Sequence, residues 1–354
     1  MRPRQARKVE EDSKYDGCKQ GSEPPSRPRP EVFPGRSTMH SPRYNSLSAY
    51  LRAKYGVQVR KIPLDAGSTC PNRDGTLSRE GCLFCNPSGS GTGLFGHGLS
   101  LHEQWISWTR HLEQKYKTVA FWAYLQSFSN TYGPLSRVRR LVKELAGLPG
   151  VRLVGLGTRP DCLDAEKLHC IADLDLPEVW LDIGLQSAND RTLHRINRGH
   201  DFACFARCVE QAHDRGLLVC VHVMYGLPGE SDADFLATIA QVNQLPVAGI
   251  KFHNLFVAKG SALEQNWRGG GYVPPTRDAY VQAVIAGLEL LRADIIVHRL
   301  NADPQPGELL APVWAADKRD VLETLWRRME AQDSRQGRSG LVFPWQMPMS
   351  DGTS

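Results

Sequence analysis

Short apolar runs alternate with amphipathic stretches along most of the chain. Each run is rich in β-branched or aromatic residues and ends at a polar, glycine or proline turn, which is typical of β-strands. The six runs are VQVRKIPLD (57–65), TVAFWAYLQ (118–126), VRLVGLG (151–157), VWLDIGLQ (179–186), LVCVHVMYG (218–226) and GIKFHNLFV (249–257). The pattern therefore predicts six strands.

The stretches between these runs have helical spacing. The segment LSLHEQWISWTRHLEQKY places Leu101, Trp105, Trp108 and Leu112 on one helical face. Similar stretches cover 134–148, 164–174, 201–216 and 232–245. Alternating strands and helices imply parallel strands joined by right-handed crossovers. We predict an α/β fold, a partial or complete (β/α) barrel with about six parallel strands, whose chemistry lies in loops at the carboxyl ends of the strands.

The two ends of the chain follow different patterns. The N-terminal segment is rich in Pro, Arg, Lys, Ser and Glu and cannot bury enough apolar surface to fold, and Met39 within it is an alternative start. Near the other end, the apolar run IIVHRL (295–300) and the helical pattern that follows it are expected to pack across one end of the barrel. The expected organisation is a disordered basic tail (1–43), the barrel (44–275), a C-terminal helical extension (276–332) and a flexible tail (333–354).

Composition narrows the class of protein only slightly. The formal net charge of +5 is mild for 354 residues, so it neither indicates nor excludes a nucleic-acid partner. The nine cysteines are scattered, and the N-terminus lacks an apolar leader, so we expect a reducing, cytoplasmic location. The chain also lacks a run of roughly 18 apolar residues that could span a bilayer.

Three cysteines follow the first predicted strand. In TCPNRDGTLSREGCLFCN, eleven residues separate Cys70 from Cys82 and two separate Cys82 from Cys85, and a CxxC pair lets two thiolates converge on one metal centre. One interpretation is zinc, with His97 or a water as the fourth ligand. The other is an iron-sulfur cluster in which one iron has no protein ligand and stays open to a small molecule.

These residues resemble a known superfamily. A three-cysteine loop after the first strand of a β/α barrel is similar to that of the radical S-adenosylmethionine (SAM) superfamily, although the spacing here is wider than the common CxxxCxxC. With GLGTRPDCL, LDIGLQSANDRTLHRINRGHDF, YGLPGE and GIKFHNLFVAKGSAL, the loop closely resembles the bacterial YhcC-type family. That family is related to the elongator catalytic subunit and to the oxygen-independent coproporphyrinogen oxidases. The similarity runs from about Tyr44 to Lys318.

The resemblance implies an enzyme with two cofactors. Cys70, Cys82 and Cys85 would hold a [4Fe-4S] cluster, and SAM would bind the open iron. An electron, from a donor such as flavodoxin or ferredoxin, would cleave SAM to methionine and a 5′-deoxyadenosyl radical. The elongator relationship suggests an RNA base as substrate, and the coproporphyrinogen oxidase relationship suggests a small molecule.

The same resemblance implies residues that contact SAM. Gln126, Ser129 and Asn130 follow the second strand, where relatives contact the SAM amino group; the alternative is an ordinary strand-to-helix turn. Gln186 and Arg198 match a glutamine and an arginine that contact SAM, and the fixed fork of an arginine suits a carboxylate. The alternative for Arg198 is a surface ion pair with Asp190 or Asp201.

Two further positions lie near the predicted SAM site. His222 stands where a relative has the aspartate that binds the ribose; it could bond a hydroxyl or be an ordinary barrel-interior histidine. Gly226 lies in the YGLPGE turn, which could bring backbone close to the adenine, although glycine and proline mark any turn.

Candidate catalytic residues lie on or after later strands. Lys251 and His253 share one face of the sixth strand, so both serve acid-base or substrate roles if that face lines the lumen, and structural roles otherwise. Cys162, after the third strand, could donate a hydrogen atom to a substrate radical, or it could be a buried hydrophobe. Arg159 and Asp161 could bind substrate or pair with each other. Cys204 and Cys208 are expected to be packing residues.

Two rivals come from other functional classes. A zinc-stabilised nucleic-acid-binding module without catalysis would bind phosphate through its basic residues. An iron-sulfur redox protein would hold a cluster but fail to bind SAM. The ordered set of SAM-type segments favours the enzyme over both.

Overall fold

The strands and helices follow the order that the sequence pattern predicts. The computed structural model describes residues 42–86, 89, 94–116 and 119–340, so the expectations for most of the N-terminal tail, for Met39 and for residues 341–354 lie outside the described residues. The strands are β1 (Gln58–Leu64), β2 (Val119–Leu125), β3 (Val151–Thr158), β4 (Glu178–Gln186), β5 (Leu218–Tyr225), β6 (Gly249–Asn254), β7 (Val257–Ala258), β8 (Ile296–Arg299) and β9 (Leu309–Ala311).

Helices occupy the predicted amphipathic stretches and also form in three segments that were not predicted. They are α1 (Leu47–Tyr55), α2 (Leu101–Lys115), α3 (Leu135–Ala146), α4 (Ala165–Ala172), α5 (Asp190–Arg195), α6 (Phe202–His213), α7 (Asp232–Asn243), α8 (Ala262–Arg268), α9 (Arg277–Leu290) and α10 (Lys318–Ala331). The three that were not predicted are α1, α5 and α8. Helix α2 begins at a capping box, in which the Ser100 hydroxyl accepts from the Glu103 amide and the Glu103 carboxylate accepts from Ser100. None of the described helices is long and apolar enough to cross a membrane.

Seven parallel strands form a half-barrel in the order β1-β2-β3-β4-β5-β6-β8, while β7 and β9 pair separately and antiparallel. The partial α/β barrel is confirmed, and so are the six predicted strands. The seventh strand comes from the run IIVHRL, which we expected to pack across one end of the barrel; instead Ile296–Arg299 pairs with β6. Its four residues are too short a pattern to indicate a strand by periodicity.

The segment before β1 bridges the two edges of the half-barrel. Ser46 forms an isolated parallel bridge with Val297 of β8, and its hydroxyl then accepts from the Ala49 amide as the cap of α1. The α1 residue Leu51 packs inside the curve of the sheet against Trp122 and Trp180. The amino-terminal end of the lumen is therefore filled with apolar side chains.

The two faces of the sheet carry different side chains. The outer face packs against the helices in the main core, to which β6 contributes Ile250 and Phe252. Because side chains alternate along a strand, Lys251 and His253 point to the opposite, inner face. That inner face is apolar near the amino ends of the strands and polar toward their carboxyl ends, where the candidate site lies.

Candidate active site

A cavity of about 240 Å³ opens at the carboxyl ends of the parallel strands. Its wall includes all three loop cysteines and several residues of the inner sheet face. The predicted site residues on this wall are Cys70, Cys82, Cys85, Gln126, Gln186, Arg198, His222, Lys251 and His253. The structure thus brings together most of the residues that the sequence suggested.

A backbone hydrogen bond within the cysteine loop shortens the path between Cys70 and Cys82. The Gly81 amide donates to the Asn72 carbonyl at 2.8 Å, so residues 73–80 form an excursion with a closed base. Only Pro71, Asn72 and Gly81 then remain on the direct path between Cys70 and Cys82. In space, the loop therefore presents the shorter CxxxCxxC arrangement despite its longer sequence.

The loop is fixed to the end of α5 and to itself. The Asn197 amide donates to the Gly81 carbonyl at 2.7 Å, and the Leu83 amide donates to the Ile196 carbonyl at 3.0 Å. Arg73 donates to the Cys85 carbonyl at 3.0 Å, which ties the two ends of the loop together. These bonds hold the loop that carries the cysteines, so less ordering is left for metal binding to impose.

Two arginines lie against the cysteine sulfurs. Arg198 Nη1 is 3.3 Å from the Cys82 sulfur, and Arg159 Nη1 is 3.9 Å from the Cys70 sulfur. Burial raises the pKa of the Cys70 thiol, and Arg159 opposes that shift. Burial and the charge of Cys82 raise the pKa of Cys85, against the nearby Arg73. The cationic side chains thus favour the thiolate form that a metal requires.

The spacing of the loop sulfurs differs from that of a single zinc site. Tetrahedral zinc with bonds of about 2.3 Å holds its sulfurs about 3.8 Å apart. Among the described residues, the one trio of potential ligand atoms lying within 4.8 Å of one another is that of Asp182, Cys220 and His298, so the loop sulfurs are spread more widely. His97, the suggested fourth zinc ligand, is exposed and lies off the described cavity wall.

Gln186 and Arg198 meet at the end of β4. Gln186 has a left-handed backbone (φ 79°) beside a register shift between Gly184 and Gln186, a conformation that is costly for a residue with a side chain. Its buried Oε1 has no partner among the described residues. A Cβ on Gly184 would lie 2.7 Å from Gln186 Nε2 and 3.0 Å from Arg198 Nη2. Glycine at 184 therefore leaves the room in which these two side chains converge.

Arg198 is not the surface ion pair considered as an alternative. It is buried, and besides Cys82 it donates to the Gly184 carbonyl. The two proposed partners are engaged elsewhere: Asp190 accepts from the Phe202 amide, and Asp201 caps α6.

Ser129 and Asn130 are held in the strand-to-helix turn. Asn130 Nδ2 donates to the carbonyl of Gly157 at 2.9 Å, and its Oδ1 accepts from Ser68 at 2.8 Å. The Ser129 hydroxyl is 3.0 Å from that of Thr158. Both are fully buried and lie behind the described cavity wall, whereas Gln126 lines it. These contacts favour the turn alternative for Ser129 and Asn130.

Cys162 and Gly226 also lie off the described cavity wall. Burial, with the charge of Asp161, raises the pKa of the Cys162 thiol to about 12, and the side chain is buried. Gly226 has φ 89°, and a Cβ there would lie 2.8 Å from Pro275 Cγ. The burial of Cys162 favours a packing role for that residue. The positive φ and the close Pro275 ring indicate that the turn requires glycine at 226.

The structure also places the two other residue pairs that the sequence suggested. Arg159 and Asp161 form a bidentate ion pair at 2.8 and 2.7 Å, while Arg159 also lines the cavity. Cys208 packs in the main core, as expected for a packing residue, and Cys204 lies one turn away on α6.

A buried polar cluster lies deeper in the lumen. Lys251 Nζ contacts the Asp182 carboxylate and the Tyr124 hydroxyl, the latter at 3.0 Å. His222 Nε2 is 3.8 Å from Asp182, too far for a direct hydrogen bond, and its ring lies 5.1 Å from that of His253. The lumen-facing orientation of Lys251 and His253 leaves the acid-base or substrate role open to them.

Burial and neighbouring charges set the protonation of this cluster. Burial alone raises the pKa of Asp182, but Lys251 holds it well below its usual value. Burial lowers the pKa of Lys251, but the Asp182 charge raises it above its ordinary value. Burial and Lys251 lower the pKa of His222 to about 4, and burial and His222 hold that of His253 well below its usual value. At neutral pH the pair is ionised and both histidines are neutral.

Stability should fall in mild acid because of His222. Its pKa is about 4 when folded and near 6.5 when unfolded, so between these values the unfolded chain binds the extra proton. Its stabilising contribution is complete above pH 6.5 and is lost as pH falls toward 4. From pH 7 to pH 5, we expect the free energy of unfolding to drop by about 2 kcal/mol from this group alone. Urea unfolding of the cluster-free protein at pH 7 and pH 5 measures this difference in the free energy of unfolding.

A pair of histidine variants isolates this effect. His222→Gln should flatten the change between pH 7 and pH 5 by about 2 kcal/mol. The exposed His102 on α2 provides the control, since His102→Gln should keep the wild-type change. Equal slopes in wild type and His222→Gln would contradict the assignment.

Sequence reasoning missed three residues of the lumen. Asp182, Tyr124 and Arg299 line the cavity. A usable signal existed for Asp182, since a carboxylate inside the otherwise apolar run VWLDIGLQ shares the parity of Gly184 and Gln186. No such sequence signal existed for Arg299, because its strand was not predicted.

Comparisons with known proteins identify the family of the chain. The Radical SAM superfamily matches residues 70–242, and the Radical_SAM C-terminal domain matches residues 247–331. Protein YhcC of Escherichia coli K12 is 35% identical over 306 residues, which cover 86% of this chain and 97% of that protein. Uncharacterized protein YtqA of Bacillus subtilis is 34% identical over 297 residues, covering 84% and 92%. The chain belongs to the radical SAM superfamily, whose members are enzymes.

Among solved structures, the archaeal Elp3 of Methanocaldococcus infernus has a similar fold. The TM-score is 0.63 at 14% sequence identity, and the match covers 78% of this chain. The chain spans 64% of the length of that structure, so the likeness concerns the fold alone. The resemblance to the radical SAM superfamily and to the YhcC-type proteins is confirmed.

Proposed function

We propose that the protein reductively cleaves SAM at a [4Fe-4S] cluster and uses the resulting radical on a substrate held in the half-barrel. Cys70, Cys82 and Cys85 would hold the cluster. The observation that carries the proposal is that these cysteines, Arg198 and the polar lumen residues line one continuous cavity. Family membership supports the same chemistry, since the radical SAM superfamily implies SAM and a [4Fe-4S] cluster.

The residues of this chain would bind, orient and shield the cofactors. When bound, the cluster supplies the electron that breaks a carbon-sulfur bond of SAM. Arg198, buried beside Cys82, offers a free Nε with no partner among the described residues, suited to the SAM carboxylate. Gln186 offers its Oε1 on the same wall. The cavity walls would exclude water and so limit side reactions of a radical.

The substrate and the electron donor belong to the proposal as well. We propose flavodoxin or ferredoxin as the donor, because the reaction needs single electrons at low potential. Candidate substrates are an RNA base or a small molecule, which would enter the lumen toward Lys251 and His253.

Anaerobic reconstitution tests the proposal. We expect four irons and four sulfides per chain, and deoxyadenosine formed from SAM only when a reductant is added. Bound zinc without sulfide and without SAM cleavage would indicate the nucleic-acid-binding alternative instead. A cluster that neither binds nor cleaves SAM would indicate the silent redox protein, and either result would end the enzyme proposal.

A further inference from the structure

The lumen carries more cationic than anionic side chains. Lys61 of β1 and Lys251 of β6 lie near a single carboxylate, that of Asp182, and Arg299 of β8 lies near both lysines. Lys251 and Arg299 are register partners on adjacent strands. Like charges placed side by side on neighbouring strands destabilise a sheet unless something neutralises them.

Asp182 neutralises only one of these cations. Its carboxylate contacts Lys251 directly. Lys61 Nζ instead lies 3.8 Å from the centre of the Trp122 ring and 4.4 Å from that of Tyr124. Burial and repulsion from Lys251 lower the pKa of Lys61 to about 7.

Arg299 faces the cavity without a counter-charge. It lines the same wall as the cysteines and, within the described part of the chain, makes no hydrogen bond or ion pair. A guanidinium stays charged at any physiological pH, so it calls for an acceptor. Nearby on that wall, the buried His253 Nε2 and Asn254 Nδ2 also lack partners among the described residues. Unpaired buried polar atoms around a cation are the usual sign of a missing ligand.

The carboxylates at the mouth of the cavity are already engaged. Asp303 pairs with Lys318 at 2.8 Å. Glu308 accepts from the Asn86 amide at 2.6 Å and from the Gln305 backbone amide at 2.7 Å. Neither of them forms a direct ion pair with Arg299 among the described contacts.

We propose that Arg299, with its register partner Lys251 beside it, binds a carboxylate or phosphate group of the substrate. The inference rests on the proposed function in one respect: the bound anion belongs to the molecule on which the radical acts. A metal ion at the Asp182, Cys220 and His298 trio is disfavoured, because Lys251 and Lys61 lie against it and would repel a cation. The substrate is then an acidic molecule, or one whose reacting part carries an acidic group.

Titration with small anions tests the site. The full chain, anaerobically reconstituted, is titrated calorimetrically with malonate and separately with inorganic phosphate, without reductant. We expect one anion to bind per chain. The probe that binds more tightly indicates whether the site takes a carboxylate or a phosphate group. Arg299→Gln should weaken binding at least about tenfold, a charge-assisted bond being worth about 1.5 kcal/mol or more. Lys143→Met, at an exposed position on α3, should bind as wild type does.

Two more variants keep the result independent of folding. Arg299→Lys retains the charge and should retain most of the binding. Asp182→Asn removes the competing carboxylate and should tighten binding, the opposite sign to Arg299→Gln. Failure of both probes to bind wild type, or equal binding by wild type and Arg299→Gln, would overturn the proposal.

SAM cleavage measured on the same preparations separates the two proposals. Anion binding that depends on Arg299 but comes without SAM cleavage would leave the anion site standing and remove the radical chemistry. SAM cleavage without anion binding would support the radical chemistry and overturn the anion site.

Discussion

Cys82→Ala should abolish both cluster assembly and SAM cleavage. Cys82 is buried, contacts Arg198 at 3.3 Å and interacts electrostatically with Cys70 and Cys85. Loss of a supporting partner alone lowers metal affinity by about 10–100-fold, and loss of a ligand should exceed that. We therefore expect deoxyadenosine formation to fall by more than about 100-fold. Iron and sulfide analysis, together with the cluster absorbance, measures assembly.

A matched cysteine outside the site controls for general damage. Cys204 lies on α6, away from the described cavity wall, so Cys204→Ala should assemble the cluster and cleave SAM as wild type does. Alanine at Cys70 or Cys85 should repeat the loss seen at Cys82. Full activity in any of these three variants would refute the ligand assignment.

Lys251→Met should destabilise the fold strongly. The side chains of Lys251 and Asp182 are 6% and 0% exposed, so the substitution leaves a carboxylate without its principal partner in the lumen. Removing one partner of such a pair typically costs about 3–5 kcal/mol. We expect about 3 kcal/mol, at the lower end, because Lys61 also lowers the pKa of Asp182 and remains. Chemical denaturation of the cluster-free protein at pH 7 gives the free energy of unfolding.

An exposed pair of the same two residue types provides the control. Lys318 and Asp303 lie 2.8 Å apart with side chains 51% and 39% exposed. Pairs of this kind contribute below about 1 kcal/mol, so Lys318→Met should change stability little. A similar loss in both variants would mean that the lumen pair is not desolvated as the structure indicates.

Much of the fold followed from local pattern. The six strand runs and the helix that begins at Leu101 were readable because each was long enough to show its period. Strand β8 was not, since Ile296–Arg299 has four residues and no turn signal that sets it apart from α9. Its place beside β6 depends on tertiary pairing, which a single sequence does not display.

The site residues that could be predicted were likewise those with a local sequence signal. The three cysteines were found because their chemistry and spacing are unusual, and Lys251 and His253 because a strand alternates. Which face they take depends on the curvature of the sheet, so only the structure directs them into the lumen. Ser129 and Asn130 have the right chemistry for SAM, but their bonds to Thr158 and Gly157 are tertiary and leave no local signal.

The closed base of the cysteine loop bears on how such chains are recognised. Because Gly81 and Asn72 are bonded to each other, residues 73–80 can vary in number without moving the cysteines. A motif search that demands CxxxCxxC would pass over this chain, whereas one that allows an insertion of any length between Asn72 and Gly81 would recover it. Insertions at that point would then lengthen a surface loop and leave the metal ligands where they are.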